Sequence, residues 1–159
     1  LEEMFMGAGI EYLFYKSDAN YAAGFEIFNV KKRDYKMRLG TLDYENTIGA
    51  INFYYRNYKT IPFDAKISYG EYLAGDVGAS VELSRVFDNG VMFGVFASST
   101  NVSAEQFGEG SFDKGIFFNI PIFGNLVSYS WRPLTKDPGQ KLIRKHTLYD
   151  LLVKFKPIN

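Results

Sequence analysis

The fold is decided by the stretch VGASVELSRV (77–86), which is followed by FDNG (87–90) and VMFGVFASS (91–99). In the first segment the odd-numbered residues from 77 to 83 are apolar, and the even-numbered residues from 78 to 84 are small or charged. Such alternation predicts a β-strand with one apolar face, because successive side chains of a strand point to opposite sides. Asn89 and Gly90 tolerate the positive φ angles that a tight hairpin turn requires. The stretch therefore predicts an antiparallel β-hairpin.

The same alternation predicts strands along the rest of the chain, about nine in all. Besides the two strands of the hairpin, they lie at residues 6–14, 23–27, 46–56, 63–70, 115–122, 126–131 and 147–155. Several of them have ten residues or more, which is longer than the average soluble strand and close to the ~9–11 residues of a tilted transmembrane strand. The sequence thus predicts an all-β protein with long strands.

The composition excludes several classes of site. The chain has 159 residues, which suits one domain, and its lack of cysteine excludes disulfides, thiolate metal sites and a cysteine nucleophile. A single histidine leaves little basis for a zinc site or a histidine-based triad. The 18 basic and 18 acidic residues cancel, so no overall field favours nucleic acid. We predict no enzyme activity, no catalytic residues, no metal, no cofactor and no nucleic-acid partner.

The lengths of the connections indicate which kind of β protein this is. Alternation alone does not say which face meets water, because it is unchanged when the sheet is turned inside out. The three long connections, 31–44, 102–114 and 133–146, fall at one end of the hairpin stack, and the other end has only short turns. Outer-membrane barrels have short periplasmic turns and longer external loops. This asymmetry favours an antiparallel transmembrane β-barrel, with a soluble ligand-binding β-barrel as the alternative.

The odd number of strands bears on the domain organisation. In bacterial single-chain barrels the strand number is even, so nine strands require a partner that precedes Leu1. We therefore expect residues 1–159 to form a single β-barrel region that is the carboxy-terminal fragment of a longer protein and part of a larger barrel.

Four blocks of sequence carry a resemblance to a known family. They are YLAGDVGA (72–79), ELSRVFDNG (82–90), FGEGSFDKG (107–115) and WRPLTKDPGQ (131–140). Through these blocks the chain resembles the YjbH family of outer-membrane proteins, from about Gly7 to Phe155. The resemblance implies β-barrel regions in the outer membrane of a Gram-negative bacterium and a link to exopolysaccharide production and export. It supplies no set of catalytic residues.

Candidate contact residues fall into two groups. Basic residues cluster in two of the long connections and, with an aromatic residue and an arginine at the end of a strand, are candidates for contact with lipopolysaccharide phosphates or an acidic polysaccharide. They are Lys31, Lys32, Arg33, Lys36, Arg38, Lys136, Lys141, Arg144, Lys145, Trp131 and Arg132. Charged residues at polar-face positions are candidates for the lumen, where they would pair with one another or meet water. They are Glu11, Glu26, Asp64, Lys66 and Glu82.

The functional expectation is an outer-membrane β-barrel that takes part in exopolysaccharide production or export. A non-conducting structural barrel that scaffolds a secretion complex is the alternative from another class. The expected partners are outer-membrane lipid, lipopolysaccharide, exopolysaccharide and other export proteins.

Overall fold

The computed structural model describes residues 5–34, 40–57, 61–103, 112–122, 127–132 and 147–155. In these residues eight strands form one sheet, and a short helix follows them. The elements are β1 (Phe5–Tyr15), β2 (Tyr21–Arg33), β3 (Thr41–Asn57), β4 (Phe63–Glu71), β5 (Val77–Val86), β6 (Met92–Thr100), β7 (Phe112–Pro121), β8 (Ser128–Trp131) and α1 (Leu148–Phe155). Each strand pairs antiparallel with the next one along the chain, so the sheet is a meander.

The hairpin predicted from residues 77–99 is confirmed. β5 and β6 pair in register from Gly78–Thr100 to Val86–Met92. The turn is closed by the Phe87 amide, which donates to the Val91 carbonyl at 2.8 Å, and by the Gly90 amide, which donates to the Phe87 carbonyl at 2.8 Å. Gly90 has a φ of 80°, a left-handed conformation that costs glycine little because it has no Cβ.

The prediction of a final strand at residues 147–155 is wrong, because Leu148–Phe155 form the helix α1. The Asp150 amide donates to Thr147 Oγ1 at 3.1 Å, and the Thr147 amide donates to Asp150 Oδ2 at 2.9 Å. This reciprocal pair is a capping box, which satisfies amides that a helix start leaves without partners. Leu151 and Leu152 lie three and four positions after Leu148, so the three leucines share one face of the helix.

No helix in the described part of the chain is long and apolar enough to cross a membrane.

The strand number and the closure of the sheet also differ from the prediction. The described residues contain eight strands rather than about nine, and the sheet is not closed into a barrel, since there β1 pairs only with β2 and β8 only with β7. The expectation that residues 1–159 belong to a larger barrel stays a prediction. β2 and β3 extend further than predicted and reduce the connection predicted at 31–44 to residues 34–40. The connection 133–146 lies outside the described residues.

The meander has two ends, which we name by their connections. The short-turn end carries the turns between β1 and β2, β3 and β4, β5 and β6, and β7 and β8. The long-connection end carries the links between β2 and β3, β4 and β5, and β6 and β7. Odd-numbered strands run toward the short-turn end and even-numbered strands run away from it.

The two faces of the sheet have opposite polarity. We call the face that carries Ile10, Ile51 and Tyr69 the outer face, and these side chains are 71%, 67% and 59% exposed. The opposite, inner face carries Asn52 and Ser68, which are only 2% and 1% exposed. A water-soluble antiparallel sheet buries its apolar face and solvates its polar one. Here the apolar face is exposed and the polar face is buried.

The sheet curls toward its inner face. Arg132, directly after β8, lies 2.9 Å from Glu82 of β5. In a flat sheet these strands are three spacings of about 4.8 Å apart, about 14 Å in total. Side chains that stand perpendicular to a flat sheet would not meet over this distance. The curl explains why small inner-face side chains are buried although α1 covers only a part of that face.

Glycines make room for aromatic rings on the inner face. Gly94 is the cross-strand partner of Phe117, and a Cβ on Gly94 would lie 2.3 Å from Cζ of the Phe117 ring. Gly9 and Phe28 are related in the same way, with the Gly9 Cβ placed 2.4 Å from the ring. At the long-connection end the Phe28 ring lies beside a small apolar core. It consists of Phe5, Val30, Ile48 and Leu73, with Phe28 packed against it.

We predict that Gly94→Ala lowers the free energy of unfolding by about 1–3 kcal/mol, because the Phe117 ring must leave its place for the new methyl group. Urea unfolding, followed by Trp131 fluorescence, measures the change. Gly49→Ala is the matched control, since its Cβ would meet its nearest atom at 3.4 Å, an ordinary contact. Equal stability of the two variants would contradict the packing described here.

Candidate functional site

The inner face holds all five charged residues that the sequence assigned to the lumen. Glu11, Glu26, Asp64, Lys66 and Glu82 lie on this face at positions fixed by the strand register. Glu11 is directly opposite Glu26, and Lys66 is directly opposite Glu82. In the described residues no group of three or more His, Asp or Glu side chains is placed to hold a metal ion.

A row of small polar side chains crosses the inner face from β3 to β7. Asn52 pairs with Ser68, Ser68 with Ser80, Ser80 with Ser98 and Ser98 with Asp113. The Ser68 hydroxyl donates to Asn52 Oδ1 at 2.6 Å. The sequence analysis did not single out this row. The pattern that could have revealed it is a small polar residue on the polar face of each of several successive strands. Buried hydroxyl and amide groups need such partners, because an unpaired one is costly.

Arg132 joins β8 to β5 across the inner face. Its Nη1 and Nη2 donate to Glu82 Oε2 at 3.2 Å and Oε1 at 2.9 Å, which is the bidentate geometry of strong arginine–carboxylate pairs. Its guanidinium also lies 4.8 Å from the ring centroid of Phe96 and 4.9 Å from that of Phe117. A planar cation between a carboxylate and two aromatic rings is held by both charge and stacking.

Trp131 and Arg132 lie on opposite faces of the sheet. Trp131 stacks on Phe118 of the outer face, with ring centroids 5.6 Å apart and planes inclined by 19°. Arg132 turns to the inner face and binds Glu82. The two neighbouring side chains therefore do not form one aromatic and cationic platform for a sugar.

The helix α1 packs on the inner face near the short-turn end. The Leu148 amide donates to Glu11 Oε1 at 3.1 Å, and a carboxylate at a helix start is favoured by the helix dipole. The Tyr149 ring stacks on Tyr54, with ring centroids 4.0 Å apart. Arg56 lies over the same Tyr149 ring at 5.9 Å from its centroid.

Arg56 and Asp64 form a second ion pair on the inner face. They are cross-strand partners in β3 and β4, and both side chains are largely buried. Arg56 Nη2 donates to Asp64 Oδ2 at 2.6 Å, and Arg56 Nε donates to Oδ1. Lys66, two residues further along β4, lies over the Tyr54 ring at 5.4 Å from its centroid. Cations and aromatic rings thus alternate along this part of the face.

The turn 72–76 folds over the inner face at the long-connection end. Tyr44 donates a hydrogen bond through its hydroxyl to the Leu73 carbonyl, and Asn46 Nδ2 donates to the Tyr72 carbonyl at 3.3 Å. Burial raises the pKa of the Tyr72 hydroxyl above its ordinary value, and the negative charge of Asp76 adds to this effect. Tyr72 is therefore neutral at physiological pH and contributes to packing.

The basic candidates are only partly described. Lys31, Lys32 and Arg33 lie in β2, whereas the sequence analysis places them in a long connection. Lys31 Nζ is 3.0 Å from Glu45 Oε2 of β3, and both side chains are about half exposed. The remaining candidates lie outside the described residues. They are Lys36, Arg38, Lys136, Lys141, Arg144 and Lys145.

Aromatic side chains line the outer face near the short-turn end. All strands except β5 carry one there. They are Tyr12 and Phe14 of β1, Tyr21 of β2, Tyr55 of β3, Phe63 of β4, Phe93 of β6, Phe118 of β7 and Tyr129 of β8. Neighbouring rings are in contact, as in Tyr55–Phe63 with centroids 6.0 Å apart and Phe118–Tyr129 with centroids 6.1 Å apart. We call this set the aromatic belt.

Comparison with known proteins gives a consistent result. Residues 1–154 match the family model described as exopolysaccharide biosynthesis protein YbjH. The chain is also 38% identical over 161 residues to the "Uncharacterized lipoprotein YjbH" of Escherichia coli (strain K12). This alignment covers 95% of the chain but 23% of the E. coli protein, so the chain spans about a quarter of that relative. No solved structure is significantly similar to the chain.

We predict that Arg132→Lys destabilises the sheet by about 1 kcal/mol, because lysine can neither bind Glu82 through two nitrogens nor lie flat on the two rings. Urea unfolding of the single variants and of Arg132→Lys combined with Glu82→Gln measures the coupling energy of the pair. Lys31→Ala is the control at an exposed ion pair and should leave stability unchanged. Full stability of Arg132→Lys would contradict a structural role for the bidentate pair.

Proposed function

The chain belongs to the exopolysaccharide biosynthesis (YjbH) family, and we propose that it forms part of the wall of an outer-membrane β-barrel that takes part in exopolysaccharide production or export. In this arrangement the outer face contacts lipid acyl chains and the inner face lines the interior.

The observation that carries the proposal is the reversed polarity of the sheet. Ile10, Ile51 and Tyr69 are mostly exposed, whereas Asn52 and Ser68 are buried. Exposing such a surface to water is unfavourable, at roughly 25 cal/mol for each Å² of apolar area. In a bilayer the same surface is favourably solvated, and a wall with apolar side chains outside and polar ones inside is the pattern of transmembrane barrels. A soluble ligand-binding barrel would need the opposite polarity.

The distribution of residues along the outer face supports the same orientation. The aromatic belt lies near the short-turn end, as aromatic residues do at a membrane interface. Four charged residues of this face, Lys31, Glu45, Glu71 and Lys114, lie toward the long-connection end, and Arg85 lies at the short-turn end over the Phe87 ring. The apolar side chains lie between these two zones, which is the order expected across one bilayer.

We propose that lipopolysaccharide and exopolysaccharide meet the long-connection end. Lys31, Lys32 and Arg33 lie at the end of β2 that leads there, and the other basic candidates follow in the two connections outside the described residues. Phosphates and acidic sugars attract such residues, with arginine able to bind through two nitrogens. Other export proteins are further candidate partners of the whole protein.

The contacts of three inner-face carboxylates favour a non-catalytic role for this face. Glu82 is held by Arg132, Asp64 by Arg56, and Glu11 caps the amide at the start of α1. A catalytic acid or base has to change its protonation state beside the substrate, whereas these carboxylates are bound to cations and an amide of the protein itself. We propose that the inner face supports structure and contact with polymer and carries out no reaction.

We predict that Val81→Arg, in the middle of the outer face, destabilises the membrane-inserted protein by about 2–4 kcal/mol, because the charge enters the hydrocarbon region. Glu71→Arg is the matched control, since it lies on the same face at the charged end and should be tolerated. Refolding into lipid vesicles at increasing urea measures both. In a polysaccharide-producing bacterium Val81→Arg should also lower secreted polysaccharide. Equal tolerance of both variants would contradict a lipid-facing outer face.

A further inference from the structure

A cavity of about 70 Å³ lies between the β1–β2 turn and helix α1. We propose that it binds an anionic sugar residue, such as a uronate of an acidic polysaccharide. This inference rests on the proposed function, because it names the chemical class of saccharide that the inner face meets. None of the residues that form the cavity was singled out as a candidate by the sequence.

The walls of the cavity suit a sugar ring. Tyr15 and Tyr149 contribute aromatic side chains, and Ala22, Leu152 and Val153 contribute apolar surface. The carbon-bound hydrogens of a pyranose pack well against such surfaces, whereas its hydroxyls need polar partners at the rim. Tyr149 is fixed in place because its ring stacks on Tyr54 at 4.0 Å between centroids. A fixed aromatic wall binds a ligand without the cost of ordering a mobile side chain.

The rim of the cavity is polar and cationic. Ser17 and Asn20 supply a hydroxyl and an amide, and Lys16 and Arg56 supply positive charges. None of the described residues that line the cavity is a carboxylate. The charge of Arg56 is balanced by Asp64, to which it donates two hydrogen bonds. Lys16, which is exposed at the start of the turn, is therefore the lining residue whose positive charge Asp64 does not balance.

The shape of the site limits what it accepts. A volume of about 70 Å³ admits a carboxylate together with one edge of a sugar ring, and it is too small for a polymer chain to pass through. The apolar wall disfavours a bare phosphate ion, which has no surface to bury against it. A neutral sugar would fill the wall but would gain nothing from the charge of Lys16. An anionic sugar residue satisfies both parts of the site.

The experiment is a calorimetric titration of the folded chain in detergent micelles with three probes. They are trigalacturonate, maltotriose and inorganic phosphate. We expect trigalacturonate to bind at least about tenfold more tightly than maltotriose or phosphate, and more weakly as salt is raised. Lys16→Ala should weaken trigalacturonate binding about tenfold, the effect of one charge-assisted contact. Arg85→Ala, which removes a positive charge of β5 on the outer face, should have no effect.

The outcomes separate this inference from the proposed function. Equal binding of maltotriose, equal binding of phosphate, no binding of any probe, or an unchanged affinity of Lys16→Ala would each overturn the anionic-sugar site. Urea unfolding of Lys16→Ala checks that the variant is folded, and Tyr15→Ala, which removes an aromatic wall without changing charge, should also weaken binding. If the site fails while Val81→Arg still blocks membrane insertion and Glu71→Arg does not, the lipid-facing wall stands without it.

Discussion

The structure depends on the close approach of strands on the inner face of a curled sheet. A Cβ on Gly70 would lie 2.0 Å from the Gly49 carbonyl oxygen, and one on Gly78 would lie 2.1 Å from that of Ser99. Side chains at the tightest points of this face must therefore be small, and larger rings such as Phe117 fit only above a glycine. Bulky apolar residues that have no such space, among them Ile10, Ile51 and Tyr69, lie on the outer face. The steric constraint thus selects small side chains at the centre of the inner face.

The same constraint explains the polar chemistry of the inner face. Serine and asparagine are small enough for its central row, and in that row each lies opposite a polar partner on the next strand. Charged residues flank this row. The Arg56–Asp64 pair joins the neighbouring strands β3 and β4, and the Arg132–Glu82 pair joins the end of β8 to β5. What remains for a ligand is the edge of this packed interior. The cavity beside α1 lies at such an edge, next to the β1–β2 turn.

Much of the sheet was predictable because alternation is a local signal. The hairpin at 77–99 and the common face of Glu11, Asp64 and Glu82 follow from parity alone. The helix was missed because Tyr149, Leu151 and Val153 also alternate, although Thr147 and Asp150 already formed a capping-box signal. The Arg132–Glu82 pair joins residues fifty positions apart and depends on the curl, which no local pattern encodes. Sheet closure likewise depends on the geometry of the whole sheet, and the described strands form an open one.

The central claim is that the outer face is solvated by lipid, and the chain contains a natural probe for it. Trp131 is the single tryptophan of the sequence and lies on the outer face, where it is 41% exposed. The measurement is its fluorescence after refolding into vesicles whose acyl chains carry bromine, compared with unbrominated vesicles. The account predicts strong quenching by the brominated lipid. Unchanged fluorescence, together with quenching by aqueous acrylamide, would show that this face meets water and would contradict the account.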